Sequence, residues 1–390
     1  MNRYTSNTRF RAAAIAASVV LVTIIAAGPV LAQPPIPIRY STRTMAMGNA
    51  GLLSSNPIEM GYFNPGALSL TGGFHIYVPM VQASFNQDFI DLANFIGDNE
   101  QEFEDFDTVM TPAEQLNFLD KINDEVGSKW VGLDFDPMIG LQLGKLSFSA
   151  YSVSRAQVRF EATPNLDPMT GSYDAPTLMT RSEVDLVMNA GLGIQAGPLL
   201  HGGVGVRFLS RTHTEQLQTI DPLEGTQPIE LFSASTEEAE DTVTGFAADV
   251  GGTFTLTKAI AVGGLIRGLV SSMEGADWEP EVCAGVRLKP LELLLGIPKV
   301  FLRDFTLEAD IQDLANVRGE SYSEKLQLGA ELKIPFFALR AGMNRGKLTY
   351  GAGFHLLIFD FAAAKTSLPV LTPLGVEDQD LYSVSVGIGF

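Results

Sequence analysis

Apolar and polar residues alternate along long stretches of this chain. From Tyr382 onward every second residue (Tyr382, Val384, Val386, Ile388 and Phe390) is apolar, and Ser383, Ser385, Gly387 and Gly389 lie between them. A period of two marks a strand with one apolar face and one small, polar face. The pattern recurs at Val131, Leu133, Phe135, Ile139, Leu141 and Leu143, and again at Val184, Leu186, Met188, Ala190, Leu192 and Ile194. It returns at Leu326, Leu328, Ala330, Leu332 and Ile334, and at Tyr350, Ala352, Phe354, Leu356 and Ile358. Strands are predicted near residues 73–85, 129–143, 145–160, 181–196, 203–218, 242–257, 259–271, 281–294, 303–314, 324–335, 337–343, 348–356, 357–366 and 380–390. One such strand fits any sheet. Glycine and charged faces repeated this often need a wet place to point, and the water-lined lumen of a barrel supplies one. The fold class is therefore all-β, a transmembrane antiparallel β-barrel of about 14 strands.

Loop lengths agree with that reading. The connections after the second, fourth, sixth and tenth strands are short (Gly144, residues 197–201, Lys258 and Phe336), and those after the odd-numbered strands up to the ninth are mostly longer and polar. Outer-membrane barrels have short periplasmic turns and long external loops, so the first strand runs outward and both termini are periplasmic. The first external loop is partly helical. Phe89, Leu92, Ala93 and Ile96 recur at helical spacing. Thr111-Pro112-Ala113-Glu114 reads as the start of a second helix, which carries Leu116, Leu119 and Ile122 on one side.

Charge is as uneven as loop length. The net charge is −19. Residues 86–125 hold twelve acids and one Lys, and residues 221–241 hold seven acids and no base, so two external loops, near 86–128 and 219–241, carry almost all of it. An acidic outer mouth excludes nucleic acid as a partner and disfavours an anionic membrane surface. Asp105 and Asp107 lack the turn Gly and closing Glu of a calcium loop, so these acids read as a solvated face that divalent cations could bridge to surface lipid phosphates.

The N-terminus points to export. Arg3, Arg9 and Arg11 precede the apolar stretch Ala12–Ala27, Gly28-Pro29 breaks it, and Val30-Leu31-Ala32 offers a cleavage site before Gln33. Residues 1–32 are thus expected to be a removed signal peptide rather than an anchor. After Ala32 no window approaches the roughly 20 continuous apolar residues of a membrane helix. The single cysteine, Cys283, excludes an intramolecular disulfide framework. The four histidines (His75, His201, His213 and His355) are scattered, and neither a Gly-x-Ser-x-Gly elbow nor a phosphate-binding loop occurs. No enzyme activity, cofactor or metal is expected.

Between the signal peptide and the first strand stand Arg43-Thr44-Met45-Ala46-Met47-Gly48-Asn49-Ala50-Gly51-Leu52 and then Tyr62-Phe63-Asn64-Pro65-Gly66-Ala67-Leu68. These runs resemble the N-terminal hatch of the FadL-like superfamily of long-chain fatty-acid transporters, with its PorV-type and TraF-like relatives. Members carry Arg-x-x-x-Met-Gly-Gly-Ala and Tyr-x-Asn-Pro-Ala-x-Leu, so this chain departs with Asn49 for Gly and Gly66 for Ala. The runs Leu328–Glu331, Leu339–Asn344 and Thr349–Gly353 are also similar to PorV-type and TraF-like proteins. The resemblance implies a hatch over residues 33–72 inside a barrel of residues 73–390, with Met47, Gly48, Asn49, Ala50, Gly51, Asn64, Pro65 and Gly66 as plug residues. Gly66 is expected to supply a backbone conformation other residues resist. A terminal strand ending on Phe390 resembles the assembly signal of bacterial outer-membrane barrels. The function implied is passive, plug-gated uptake of hydrophobic or amphipathic small molecules across the outer membrane, in contact with membrane and surface lipids. The acidic mouth shifts that expectation from fatty acids towards neutral compounds. The alternative is a PorV-like protein that docks secreted proteins through its acidic loops.

Overall fold

The computed structural model describes residues 37–106, 109–127, 129–161, 177–219, 241–273, 279–293, 302–372 and 375–389. The expected signal peptide with its cleavage point after Ala32, the acidic run 221–240 and the terminal Phe390 lie outside the described residues. The chain enters through a segment of short helices, α1 (Thr42–Ala46), α2 (Met60–Phe63), a 3-10 turn (Pro65–Ala67) and α3 (Leu68–Thr71). The strands come next: β1 (Phe74–Asn86), β2 (Trp130–Phe135), β3 (Met138–Leu143), β4 (Leu146–Glu161), β5 (Thr177–Gln195), β6 (Leu200–Thr219), β7 (Asp241–Thr255) and β8 (Ile260–Met273). The second half comprises β9 (Glu281–Leu288), β10 (Asp304–Ile311), β11 (Leu326–Lys333), β12 (Phe337–Asn344), β13 (Lys347–Leu356), β14 (Phe359–Thr372) and β15 (Gly375–Gly389). Successive strands pair antiparallel, and β15 returns to β1 through pairs such as Val81↔Val386. Every edge is therefore used, which removes the unpaired N–H and C=O groups an open sheet would expose.

Among the described residues, fifteen segments fill fourteen places in this ring, because the strand expected over 129–143 is interrupted. Both β2 and β3 lie between β1 and β4, through Phe85↔Leu133↔Ala156 and Ile76↔Leu141↔Phe148. Pro137 has no N–H to give the ladder. Around it the polar groups are met otherwise: Asp136 N donates to Gln82 O (2.8 Å), Ser152 N donates to Pro137 O (3.0 Å), and the Asp136 carboxylate accepts from Ser154 N (2.9 Å). The break leaves the alternation in phase, with Phe135 and Ile139 both outward and about half exposed, so period-two counting passes over it.

The barrel is apolar outside and ionic inside. On β5, Leu186 and Met188 are 52% and 58% exposed, whereas Asp185 and Asn189 beside them are 2% and 4% exposed. Val206 and Phe208 of β6 face out and Arg207 faces in; Val384 and Val386 of β15 face out and Ser383 faces in. A soluble sheet would hide the first set.

The long connection between β1 and β2 forms α4 (Gln87–Asp98), α5 (Glu100–Asp105) and α6 (Pro112–Val126). Asn86 caps α4, its Oδ1 accepting from Phe89 N (3.0 Å). Thr111 and Glu114 close a capping box at the start of α6, with Thr111 N donating to Glu114 Oε2 (2.8 Å). The helices share a small core of Phe95, Phe106, Phe118 and Leu119 with Phe160 of β4, and Val158 packs against it. Val158 and Phe160 continue the outward parity of Leu146 and Phe148. The helical arm thus leans on the outer face of the wall at the C-terminal end of β4.

Candidate functional site: a buried septum across the lumen

The segment 37–72 is almost entirely buried, and its polar partners come from all round the ring. Gln82 of β1 accepts from Thr42 N (2.8 Å), and Thr42 Oγ1 meets Ser383 Oγ of β15 (2.9 Å). Thr349 of β13 donates to Ala46 O (3.1 Å), and Ser147 of β4 donates to Ile58 O (3.1 Å). At the segment's end, Ser69 Oγ meets His201 Nδ1 of β6 at 2.7 Å.

Charged side chains of the wall do most of the holding on one side. Arg43 of α1 grips Glu331 of β11 with two bonds, Nε to Oε1 at 2.9 Å and Nη2 to Oε2 at 2.6 Å, and Arg340 Nε adds a third at 2.9 Å. The turn after α1 offers bare backbone N–H groups. Gly51 N and Leu52 N donate to Asp310 Oδ2 (2.8 and 2.9 Å), Leu53 N donates to Glu308 Oε1 (2.6 Å), and Arg287 Nη1 donates to Leu53 O (2.6 Å). Within the segment, Arg39 and Glu59 pair at 3.8 Å with both side chains fully buried. Burial pushes the Glu59 carboxyl above its ordinary range, against the opposing pull of Arg39 and Arg43. Arg39 also reaches the strand break, its Nε donating to Asp136 O (3.1 Å).

The wall makes room for this backbone with lumenal glycines. A Cβ on Gly203 would strike the Pro65 carbonyl, and one on Gly251 would strike Asn64 Oδ1. Across the lumen, a Cβ on Gly329 would lie 2.7 Å from Met47 O, and one on Gly342 would meet Met47 and Gly48. The glycine faces that the strand pattern assigned to water are in contact with the segment.

The predicted plug residues fall in two places. Met47, Gly48, Asn49, Ala50 and Gly51 lie against β10–β13, and Asn64, Pro65 and Gly66 lie against β6 and β7. Gly48 and Asn49 both have φ of 65°. That left-handed pair explains why Asn, which tolerates the region best among residues with a side chain, stands in for Gly at 49. Gly66 differs from the expectation: its backbone is ordinary, and its requirement is steric, since a Cβ there would lie 2.6 Å from Gly251 C. Asn64 turns the chain by accepting from Gly66 N (3.0 Å). The residues Tyr382, Val384, Val386 and Ile388 lie on β15 beside β1, away from the lumen. Arg39, Glu59, Glu308, Asp310 and Glu331 escaped the sequence reading as site residues; for the last three, charges at inward positions of otherwise apolar strands were the available signal.

Segment and wall together build an apolar layer. Ile58, Tyr62 and Phe63 pack with Met80, Met138, Tyr151, Val187, Leu209, Ala247 and Met273, and Tyr62 stacks obliquely on Tyr151 with ring centroids 4.8 Å apart. Ile38, Tyr40, Val153 and Val243 extend the layer with partly exposed surface. Ion pairs surround it: Arg207 with Asp249, Arg267 with Glu281 (2.6 Å), Arg318 with Glu281 (2.8 Å), and Arg211 with Asp185 (2.7 Å). Among the described residues, no group of three or more His, Cys, Asp or Glu side chains is placed to hold a metal ion.

A closed antiparallel ring, apolar outside and ionic inside, with its own N-terminal segment folded across the lumen, is a barrel of the outer-membrane type. Among solved structures, the Pseudomonas putida toluene transporter TodX is similar at a TM-score of 0.51 and 10% identity, over 92% of this chain and 99% of that one. A deltaS2 mutant of the TodX monoaromatic hydrocarbon channel gives 0.50 and 10%, over 90% and 97%. A Pseudomonas aeruginosa FadL homologue gives 0.43 and 12%, over 92% and 98%. The likeness to the two TodX structures is one of fold, a closed antiparallel barrel. No family model and no curated protein matches it.

Proposed function

We propose that this protein is an outer-membrane channel for passive uptake of hydrophobic or amphipathic small molecules, gated by the N-terminal segment. The apolar layer across an otherwise ionic lumen carries the reading. Ions and sugars meet at that layer a barrier with few polar groups to replace their water. A hydrocarbon or neutral amphiphile meets a surface it wets, lined by aromatic rings and pliable methionines. The exposed apolar exterior supports a place in the outer membrane, reached after loss of the signal peptide at Ala32. The solved neighbour named as a toluene transporter supports an apolar, uncharged cargo.

The gate in this reading is a repacking of Tyr62 and Phe63 against Met138 and Tyr151, because withdrawing the whole segment would strip Glu331 of Arg43 and take from Glu308 and Asp310 the backbone donors that meet them. The test is native mass spectrometry and thermal shift of the purified mature protein with toluene, longer hydrocarbons and fatty acids. Retention of an apolar ligand, with stabilisation rising with its concentration, is expected. Binding of secreted polypeptides alone, lost when the acids of residues 86–125 are neutralised, would replace uptake with docking.

A further inference from the structure

The lumenal ion pairs differ in how far they are open. Arg207 and Arg267 are each 2% exposed, sealed by Asp249 and Glu281. The Arg211 side chain is 14% exposed, and two carboxylates attend it. Its Nε and Nη2 donate to the two oxygens of Asp185 at 2.7 and 2.8 Å, and Glu183, 34% exposed, stands 3.7 Å away. Arg155 of β4, 40% exposed, lies directly across from Glu183 and is 4.0 Å from Asp134. Val153 lies across from Asp185 and Val243 across from Arg211, and both pack against the apolar layer that contains Leu209. A molecule that lays an apolar body on those residues sets its polar end at Arg211.

The charge balance there selects the polar end. A lone guanidinium would take a carboxylate in a bidentate grip. Arg211 already has that grip from Asp185 and feels Glu183 as well, so these three side chains carry one negative charge in excess, and the Arg155–Asp134 pair beside them adds none. An incoming carboxylate must displace Asp185 or stand beside two like charges in a place of reduced dielectric. An uncharged head meets neither penalty. We propose that Asp185 and Glu183 are specificity-determining residues: by neutralising Arg211 they make the lumen favour uncharged hydrophobic and amphipathic molecules over ionised carboxylates of the same length. The inference rests on the uptake reading above.

The matched probes are 1-decanol and decanoate, titrated at pH 8 against the purified mature protein, whose folding is checked by heat-modifiable mobility. Wild type is expected to bind decanol at least about tenfold more tightly than decanoate. Asp185→Asn with Glu183→Gln should raise decanoate affinity about tenfold and leave decanol within about twofold, and added salt should erode the gain. Adding Arg211→Met to that pair should abolish the gain. If the pair fails to fold, Glu183→Gln alone, at the more exposed position, should give a smaller rise of about threefold. Equal binding of the two probes by wild type, or an unchanged ratio in the folded variants, overturns the proposal. Binding of neither probe by folded wild type defeats the uptake reading itself, a distinguishable result.

Discussion

Glu331 shows how far single residues of the wall depend on the N-terminal segment. Its carboxylate is 1% exposed and is met by Arg43 and Arg340. Glu331→Gln would leave two buried guanidiniums short of their counter-charge, a loss of about 3 kcal/mol or more. The temperature at which the folded band disappears on gels should fall, and single-channel conductance should rise as the segment loosens; an unchanged transition would show that Glu331 does not hold it. Gly203→Ala makes the complementary steric test. Its Cβ would displace the Pro65 carbonyl, so leak should rise even though alanine suits a strand better than glycine. Equal conductance would place the segment elsewhere. At this scale the sequence was partly legible. Met47–Gly51 and Asn64–Gly66 were recognisable by resemblance, and both runs touch the wall. The partners in the wall were not, because Glu308, Asp310 and Glu331 are separated from Leu53, Leu52 and Arg43 by more than two hundred residues, a distance periodicity does not bridge.

At the scale of elements, the strands were read closely from period two. The 324–335 expectation became Leu326–Lys333, and 348–356 became Lys347–Leu356. The break at Asp136-Pro137 stayed hidden because Pro137 disturbs the ladder without shifting the alternation. The helical arm was legible as helices and illegible in placement, since Phe95, Phe106 and Phe118 signal a core but not which surface completes it. Phe118→Ala should therefore release the arm while sparing the barrel, with about 3 kcal/mol lost from the arm's packing. The expected result is faster proteolysis within residues 87–127 and unaltered heat-modifiability; slower mobility of the whole barrel would mean that the arm is integral to the wall. Acid should act on the same element. The Thr111 backbone N–H, and then its hydroxyl, hold the Glu114 carboxyl below its ordinary range. A depressed acid stabilises above its unfolded value and loses that contribution as pH falls through the folded one. Protease protection of α6 should thus weaken below the ordinary glutamate region near about pH 4, and Glu114→Gln should flatten that dependence.

For the whole molecule, the segment and the ring form one folded body. Deleting residues 40–68 from the mature chain removes Arg43 from Glu331 and the backbone donors from Asp310 and Glu308, and empties the space that the lumenal glycines leave. Both a lower unfolding temperature and a larger bilayer conductance are expected. A barrel equally heat-resistant and equally closed would show the segment to be a bystander. The chain by itself determined the class of fold, because in a barrel each strand declares its two faces in its own alternation, and lipid and lumen are told apart by local residues alone. It also determined where most strands begin and end. What only the tertiary structure decided was what fills the lumen. A glycine facing inward reads the same whether water or another backbone lies against it, and an inward carboxylate reads the same whether it is solvated or gripping an arginine. Those choices depend on which distant parts of the chain closure brings to the same height in the ring, and closure is a property of the whole ring.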